Sequence, residues 1–127
     1  MPRPAGRTPT DTELQILRVL WTRGPCTVRQ VHEALSDRDT GYTTMLKLMQ
    51  IMAAKGLVDR DESRRTHVYT ARLRQRQTQR RLVGELLERL FAGSSQKLVL
   101  QALKAKRLSR KELAEIRKVL DELEGKE

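Results

Sequence analysis

Cysteine is almost absent from this chain: Cys26 stands alone among 127 residues. That excludes an intramolecular disulfide framework and reads Cys26 as a small buried apolar residue. His32 and His67 are the only histidines, too few with one cysteine for a zinc site of the usual type. No metal and no cofactor is expected. No run of about 18 apolar residues exists, so nothing should insert into a membrane, and the opening MPRPAGRT lacks the apolar core of a signal peptide. The expected location is cytoplasmic. Nor can a nucleophile, a base and an orienting group be nominated at any recognised spacing, so an enzyme is not expected. Acids are outnumbered, 16 against 26 Lys and Arg, for a net charge of +10 and a pI near 10.5. Such a balance favours a polyanionic partner or an anionic surface.

What is present is organised around the stretch from Thr27 to Val58. Thr27 followed by Gln30 makes a capping box, with Cys26 and Val31 placed as a hydrophobic staple. A helix from Val28 to about Leu35 should follow, since Val28, Val31, Ala34 and Leu35 recur at three- and four-residue spacing. The polar SDRDTG then breaks the pattern. A second helix is predicted from Thr43 to about Lys55, and Gly56 caps it before an extended exit at Leu57 and Val58. At roughly 100° per residue, Met45, Leu48, Met49 and Met52 share one face, whereas Thr43, Lys47, Gln50 and Ala54 share the other. The first face reads as core. The second is polar, and the helix contains no Asp or Glu. That suits a surface lying against phosphates and base edges.

Flanking this helix-turn-helix, Thr10 and Glu13 open a helix through about Arg23, with Leu14, Leu17, Leu20 and Trp21 as its stripe and Trp21 as a core anchor. LVDRD and THVYTA, joined by ESRR, read as a β-hairpin with Arg64 and Arg65 at its tip. Alternation puts Val68 and Tyr69 on opposite faces, one packing on the helices. The fold class is therefore mainly α, an α+β winged helix-turn-helix followed by a helical region. Residues 1–9 form an arm expected to be mobile, 10–72 the winged helix, and 73–127 a helical dimerisation domain. The latter carries Leu82, Leu86, Leu90 and Phe91 on one helix and Leu98, Val99 and Leu103 on the next. Its last helix, opened by a Ser109–Glu112 capping box and a Leu108–Leu113 staple, carries Leu113, Ile116 and Leu120. So many leucines in so short a region call for a second copy of the chain, giving a homodimer with two recognition helices suited to an inverted repeat. Arg72, Arg74, Arg76, Arg80 and Arg81 read as a solvated helix face.

The runs TDTELQILRVLW, TVRQVHEAL, GYTTMLKLMQIMAAKGLVDRD, HVYTA and LVLQALKAKRLSRKELAEIRKVLDELE resemble the penicillinase-repressor family (BlaI/MecI type), over about Thr8 to Glu124. The resemblance implies a homodimeric winged-helix repressor on double-stranded, inverted-repeat operator DNA. Thr43, Thr44 and Lys47 would face the major groove and Arg64 and Arg65 would lie in the wing; Thr27, Arg29 and Gln50 complete the candidate DNA-binding set. It also implies a membrane-bound sensor protease responding to β-lactam and cutting the repressor, here at Gln101–Ala102, where well-known members carry Asn-Phe. The tail RKVLDELEGKE lacks the Cys-rich motif of copper-responsive relatives, and Ile51 stands where several relatives have Arg. A winged helix serving protein assembly without specific DNA binding is the alternative; acids or large exposed aromatics on the recognition face would favour it.

Overall fold

Thr10 begins the first helix as the sequence predicts: its Oγ1 accepts from the Glu13 N–H at 3.2 Å, and Glu13 Oε1 accepts from the Thr10 N–H at 2.9 Å. A computed structural model describes residues 8–35 and 40–125. Most of the predicted N-terminal arm and of the SDRDTG loop therefore lies outside the described residues. The elements in order are α1 (Asp11–Arg23), α2 (Val28–Ala34), α3 (Tyr42–Lys55), β1 (Val58–Asp61), β2 (Val68–Ala71), α4 (Gln75–Phe91), α5 (Ser95–Ala105) and α6 (Arg110–Leu123). The chain divides into two compact units, with the boundary in sequence between Leu82 and Val83.

The first unit is a helix-turn-helix with a two-stranded wing. Its core joins Ile16, Leu17 and Leu20 of α1, Val28 and Val31 of α2, and Met45, Met49 and Met52 of α3 with Cys26, Leu57, Val58 and Tyr69. Three methionines on one α3 face suit this junction, since the unbranched thioether fills gaps between elements crossing at different angles. The stripe of α1 keeps the predicted Leu17 and Leu20 but differs at one member. Ile16 is fully buried, while Leu14 is half-buried and outside the core cluster. Leu48 likewise packs at the edge of the core. Trp21 is half-buried, and its indole N–H donates to the Leu73 carbonyl at 2.8 Å, tying α1 to the chain after the hairpin.

Gly56 ends α3 at φ 85°, ψ 14°, a left-handed conformation that costs glycine nothing. This turn lets the Leu57 N–H donate back to the Met52 carbonyl at 2.9 Å and sends Val58 straight into β1. The hairpin is antiparallel, in the register Val58 to Ala71 and Asp61 to Val68. Of the alternating pair on β2, Tyr69 is the buried member and Val68 the half-buried one. Cys26 adds a feature that the sequence reading lacked. Its N–H and carbonyl exchange hydrogen bonds of 3.0 and 2.8 Å with Tyr69, so the α1–α2 connection acts as a one-residue third strand. Burial pushes the Cys26 thiol up, with Arg23 opposing weakly, which keeps the sulfur protonated.

Among the described ion pairs of this unit, one has a buried partner. Lys55 Nζ lies 2.7 Å from Glu13 Oε2, with the Glu13 side chain 4% exposed and that of Lys55 27%. It joins the start of α1 to the end of α3. Burial alone would push the Glu13 carboxyl up, but hydrogen bonds from Lys55 and Thr10 and the Lys55 charge outweigh it and hold the carboxyl below its ordinary range.

The second unit comprises the end of α4 with α5 and α6. Ser94 caps α5 by accepting from the Lys97 N–H, and Ser109 with Glu112 forms the predicted box at α6. Neither α5 nor α6 contains a buried residue. Their apolar stripes instead line an open groove of about 630 Å³, with Leu98, Val99, Ala102 and Leu103 from α5 and Ile116, Val119, Leu120 and Leu123 from α6. Leu90, Leu120 and Leu123 are 68%, 50% and 80% exposed.

Candidate nucleic-acid interface

Burying Met45, Met49 and Met52 fixes the rotation of α3, and that rotation decides what faces outward. Thr43, Thr44, Lys47, Gln50 and Ala54 are all exposed. Ile51 joins them at 41% exposure. The outward face therefore holds two hydroxyls, one amide, one ammonium and small apolar groups, with no carboxylate. The start of the helix continues the theme: Gly41 offers no side-chain cap and the first turn contains no acid. Among the described residues, no side chain caps its first N–H groups at the positive end of the helix dipole.

Beside that helix start lies a cleft of about 460 Å³, lined by Thr27, Val28 and Arg29 of the α2 start, Tyr42 and Leu46 of α3, and Arg65, Thr66, His67 and Tyr69 of the hairpin. Three segments far apart in sequence thus converge. Thr27 is half-buried, its oxygen accepting from the Gln30 N–H at 3.1 Å, and its hydroxyl still has a proton to donate. Arg29, Arg64 and Arg65 are exposed.

The wing also contains acids, and the fold engages them locally. Asp61 Oδ1 accepts from the Ser63 N–H at 2.9 Å, shaping the turn. That backbone hydrogen bond is the main reason its carboxyl sits below the ordinary range. Glu62 pairs with Arg60, and Asp59 accepts from Arg72 Nε at 2.9 Å. With these carboxylates engaged by neighbours, Arg64 and Arg65 set the charge of the hairpin tip.

The structure thus gathers Thr27, Arg29 and Arg65 around one cleft, with Arg64 next along the tip. It places Thr43, Thr44, Lys47 and Gln50 along the adjoining helix face. Sequence reasoning missed Tyr42, Leu46 and His67 as members of this surface. Tyr42 is 41% exposed, has the Arg29 guanidinium carbon 5.4 Å from its ring centroid, and meets the His32 ring edge-on. The only linear signal was an aromatic immediately before the two threonines; its partners on α2 are neighbours in space alone. Among the described residues, no group of three or more His, Cys, Asp or Glu is placed to hold a metal ion. Among the same residues, no helix is long and apolar enough to cross a membrane.

A family model described as penicillinase repressor matches residues 9–122. The chain belongs to the penicillinase-repressor family. Within it, the chain is similar to the penicillinase repressor of Bacillus licheniformis, 25% identical over 114 residues that cover 89% of each chain. It is 48% identical over 61 residues to a transcriptional regulator, BlaI, of Mycobacterium tuberculosis. That second match covers 46% of this chain and 44% of the regulator, so the chain spans less than half the length of that relative. Family membership agrees with the resemblance read from the ILRVLW, YTT and KGLV segments, and with the winged-helix architecture.

Proposed function

We propose that this member of the penicillinase-repressor family is a homodimeric, DNA-binding transcriptional repressor of inverted-repeat operators. The observation that carries the proposal is the acid-free, exposed face of α3 standing beside the Arg-lined cleft of the wing. On duplex DNA the two surfaces divide the work. Arg29, Arg64 and Arg65, helped by the Thr27 hydroxyl, contact phosphates, which anchor and orient without reading sequence. Lys47 and Gln50 reach base edges in the major groove, where an ammonium suits guanine O6 and N7 and an amide suits adenine N6 and N7. The Thr43 and Thr44 methyl groups suit thymine methyls, and their hydroxyls either partner.

Dimerisation through α4–α6 is the second half of the proposal. Apolar groups left on an open groove, with no buried residue in α5 or α6, are stabilised by a second copy offering the same surface about a two-fold axis. That symmetry would set two α3 helices at a fixed separation, matching an inverted repeat. Release follows from the same design. Gln101 and Ala102 are exposed within α5, and cutting between them by a membrane-bound sensor protease would separate Leu98 and Val99 from the groove residues that follow, those of α6 included.

The test is a gel-shift titration of the full chain with the intergenic DNA upstream of its gene, against random duplex of equal length, at several salt concentrations. The proposal expects binding tighter by about 10³-fold or more on the intergenic DNA and a steep fall with salt. Equal affinity for both duplexes, or salt-independent binding, contradicts it and favours a protein-assembly module.

A further inference from the structure

The geometry points to Tyr42 as a positioning residue that holds the Arg29 guanidinium at the wing cleft, where it and Arg65 can close on one backbone phosphate. This rests on the DNA-binding reading above and names how that site is pre-set. Two tyrosines occur in the chain and the fold treats them oppositely: Tyr69 is 1% exposed and in the core, whereas Tyr42 is 41% exposed at the first position of α3. The half-exposed ring of Tyr42 is held at the surface by the groups it touches.

Two neighbours on α2 meet the ring. The His32 ring meets the Tyr42 ring edge-on, with centroids 6.0 Å apart and planes at 86°, the arrangement that ring quadrupoles favour. His32 is itself fixed, its Nε2 2.9 Å from the Thr40 carbonyl oxygen, which can only accept and so assigns the proton to that nitrogen. The Arg29 guanidinium carbon lies 5.4 Å from the Tyr42 centroid, within cation–π range. Arg29 is exposed and on a flexible stem; without the ring it would sample many rotamers and lose that freedom on meeting DNA. With it, the cation is already parked among cleft-lining groups that include Arg65 and the hydroxyls of Thr27 and Thr66. The tyrosine hydroxyl has no part in this device; the ring face does.

The experiment uses the full chain and two readouts. In the free protein, the Arg29 side-chain Nε–H proton should be shifted upfield by the ring, keep that shift in Tyr42→Phe and lose it in Tyr42→Ala. In anisotropy titrations with the upstream intergenic duplex, Tyr42→Phe should bind like the parent, and Tyr42→Ala should bind about two- to fivefold more weakly. The double variant Tyr42→Ala, Arg29→Ala should bind no more weakly than Arg29→Ala alone. Losses that multiply in the double variant overturn the inference, as does a Tyr42→Phe loss equal to that of Tyr42→Ala, which would make the hydroxyl a direct contact. If the parent shows no preference for the intergenic duplex, the functional reading falls and takes this inference with it. If the parent binds selectively but the losses multiply, the inference falls alone.

Discussion

Replacing Glu13 by Gln perturbs one charge and almost no volume. The amide oxygen can still accept from the Thr10 N–H, so the cap of α1 survives, but the group facing Lys55 Nζ at 2.7 Å loses its charge. Breaking a fully buried ion pair costs about 3–5 kcal/mol, because the surviving charge is left uncompensated. Lys55 is 27% exposed, and water reaching its ammonium lowers the cost to about 2 kcal/mol. For a folding unit of this size that corresponds to a fall in Tm of roughly 10 °C. The pH dependence supplies the check on mechanism. Because the Glu13 carboxyl is held below its ordinary value of 4.5, its contribution is fully present above that value and is lost as pH falls through the depressed folded one. Parent and Glu13→Gln should therefore differ by a constant amount from neutral pH down to about pH 5 and converge below it. Thermal unfolding followed by circular dichroism across that range measures both quantities. A difference under about 0.5 kcal/mol at neutral pH, or one that persists undiminished in acid, would refute the reasoning.

Met49→Ala, at a position with no exposure, should cost about 2–5 kcal/mol in denaturant unfolding through the cavity it leaves; a smaller loss would mean that α3 settles inward. Lys47→Ala should weaken binding to the intergenic duplex by about 1–3 kcal/mol and relax discrimination against random DNA, and equal losses on both would show that the ammonium touches only phosphate. Changing Arg64 and Arg65 together to Ala should weaken all duplexes alike and, with two wings per dimer, reduce the slope of log affinity against log salt by about four; a loss confined to one sequence would assign the wing to base reading. Leu120→Lys, on the open groove of α5 and α6, should yield a monomer in sedimentation velocity while the far-ultraviolet spectrum stays helical, whereas an unchanged mass would remove this groove from the interface.

Features carried by local periodicity and capping were legible in the sequence. The three Ser/Thr-to-Glu/Gln boxes at Thr10, Thr27 and Ser109 each form as expected, because both partners lie within one helical turn. The methionine face of α3 and the hairpin were legible for the same reason. What stayed hidden depends on contacts between distant segments. Glu13 was read as a cap alone, and its second task, the bond to Lys55, spans 42 residues. Leu14 was placed in the α1 stripe in preference to Ile16, since one helix cannot show which of two adjacent apolar rows its neighbours will cover. The Cys26 bridge is one residue long, below any strand pattern. At the candidate site, the α3 face was legible from composition; the cleft between α2, α3 and the wing, with Tyr42 at its edge, was not.

In the proposed repressor, two outward faces of α3, paired by symmetry, read a duplex from its major groove. Hydroxyl-radical and methylation-protection footprinting on the upstream intergenic DNA tests it most directly. Two inverted half-sites are expected, each with protected guanine N7 positions, their centres separated by about one helical turn or a whole multiple of it. A single unpaired footprint, or backbone protection spread evenly with every guanine N7 still reactive, would contradict it.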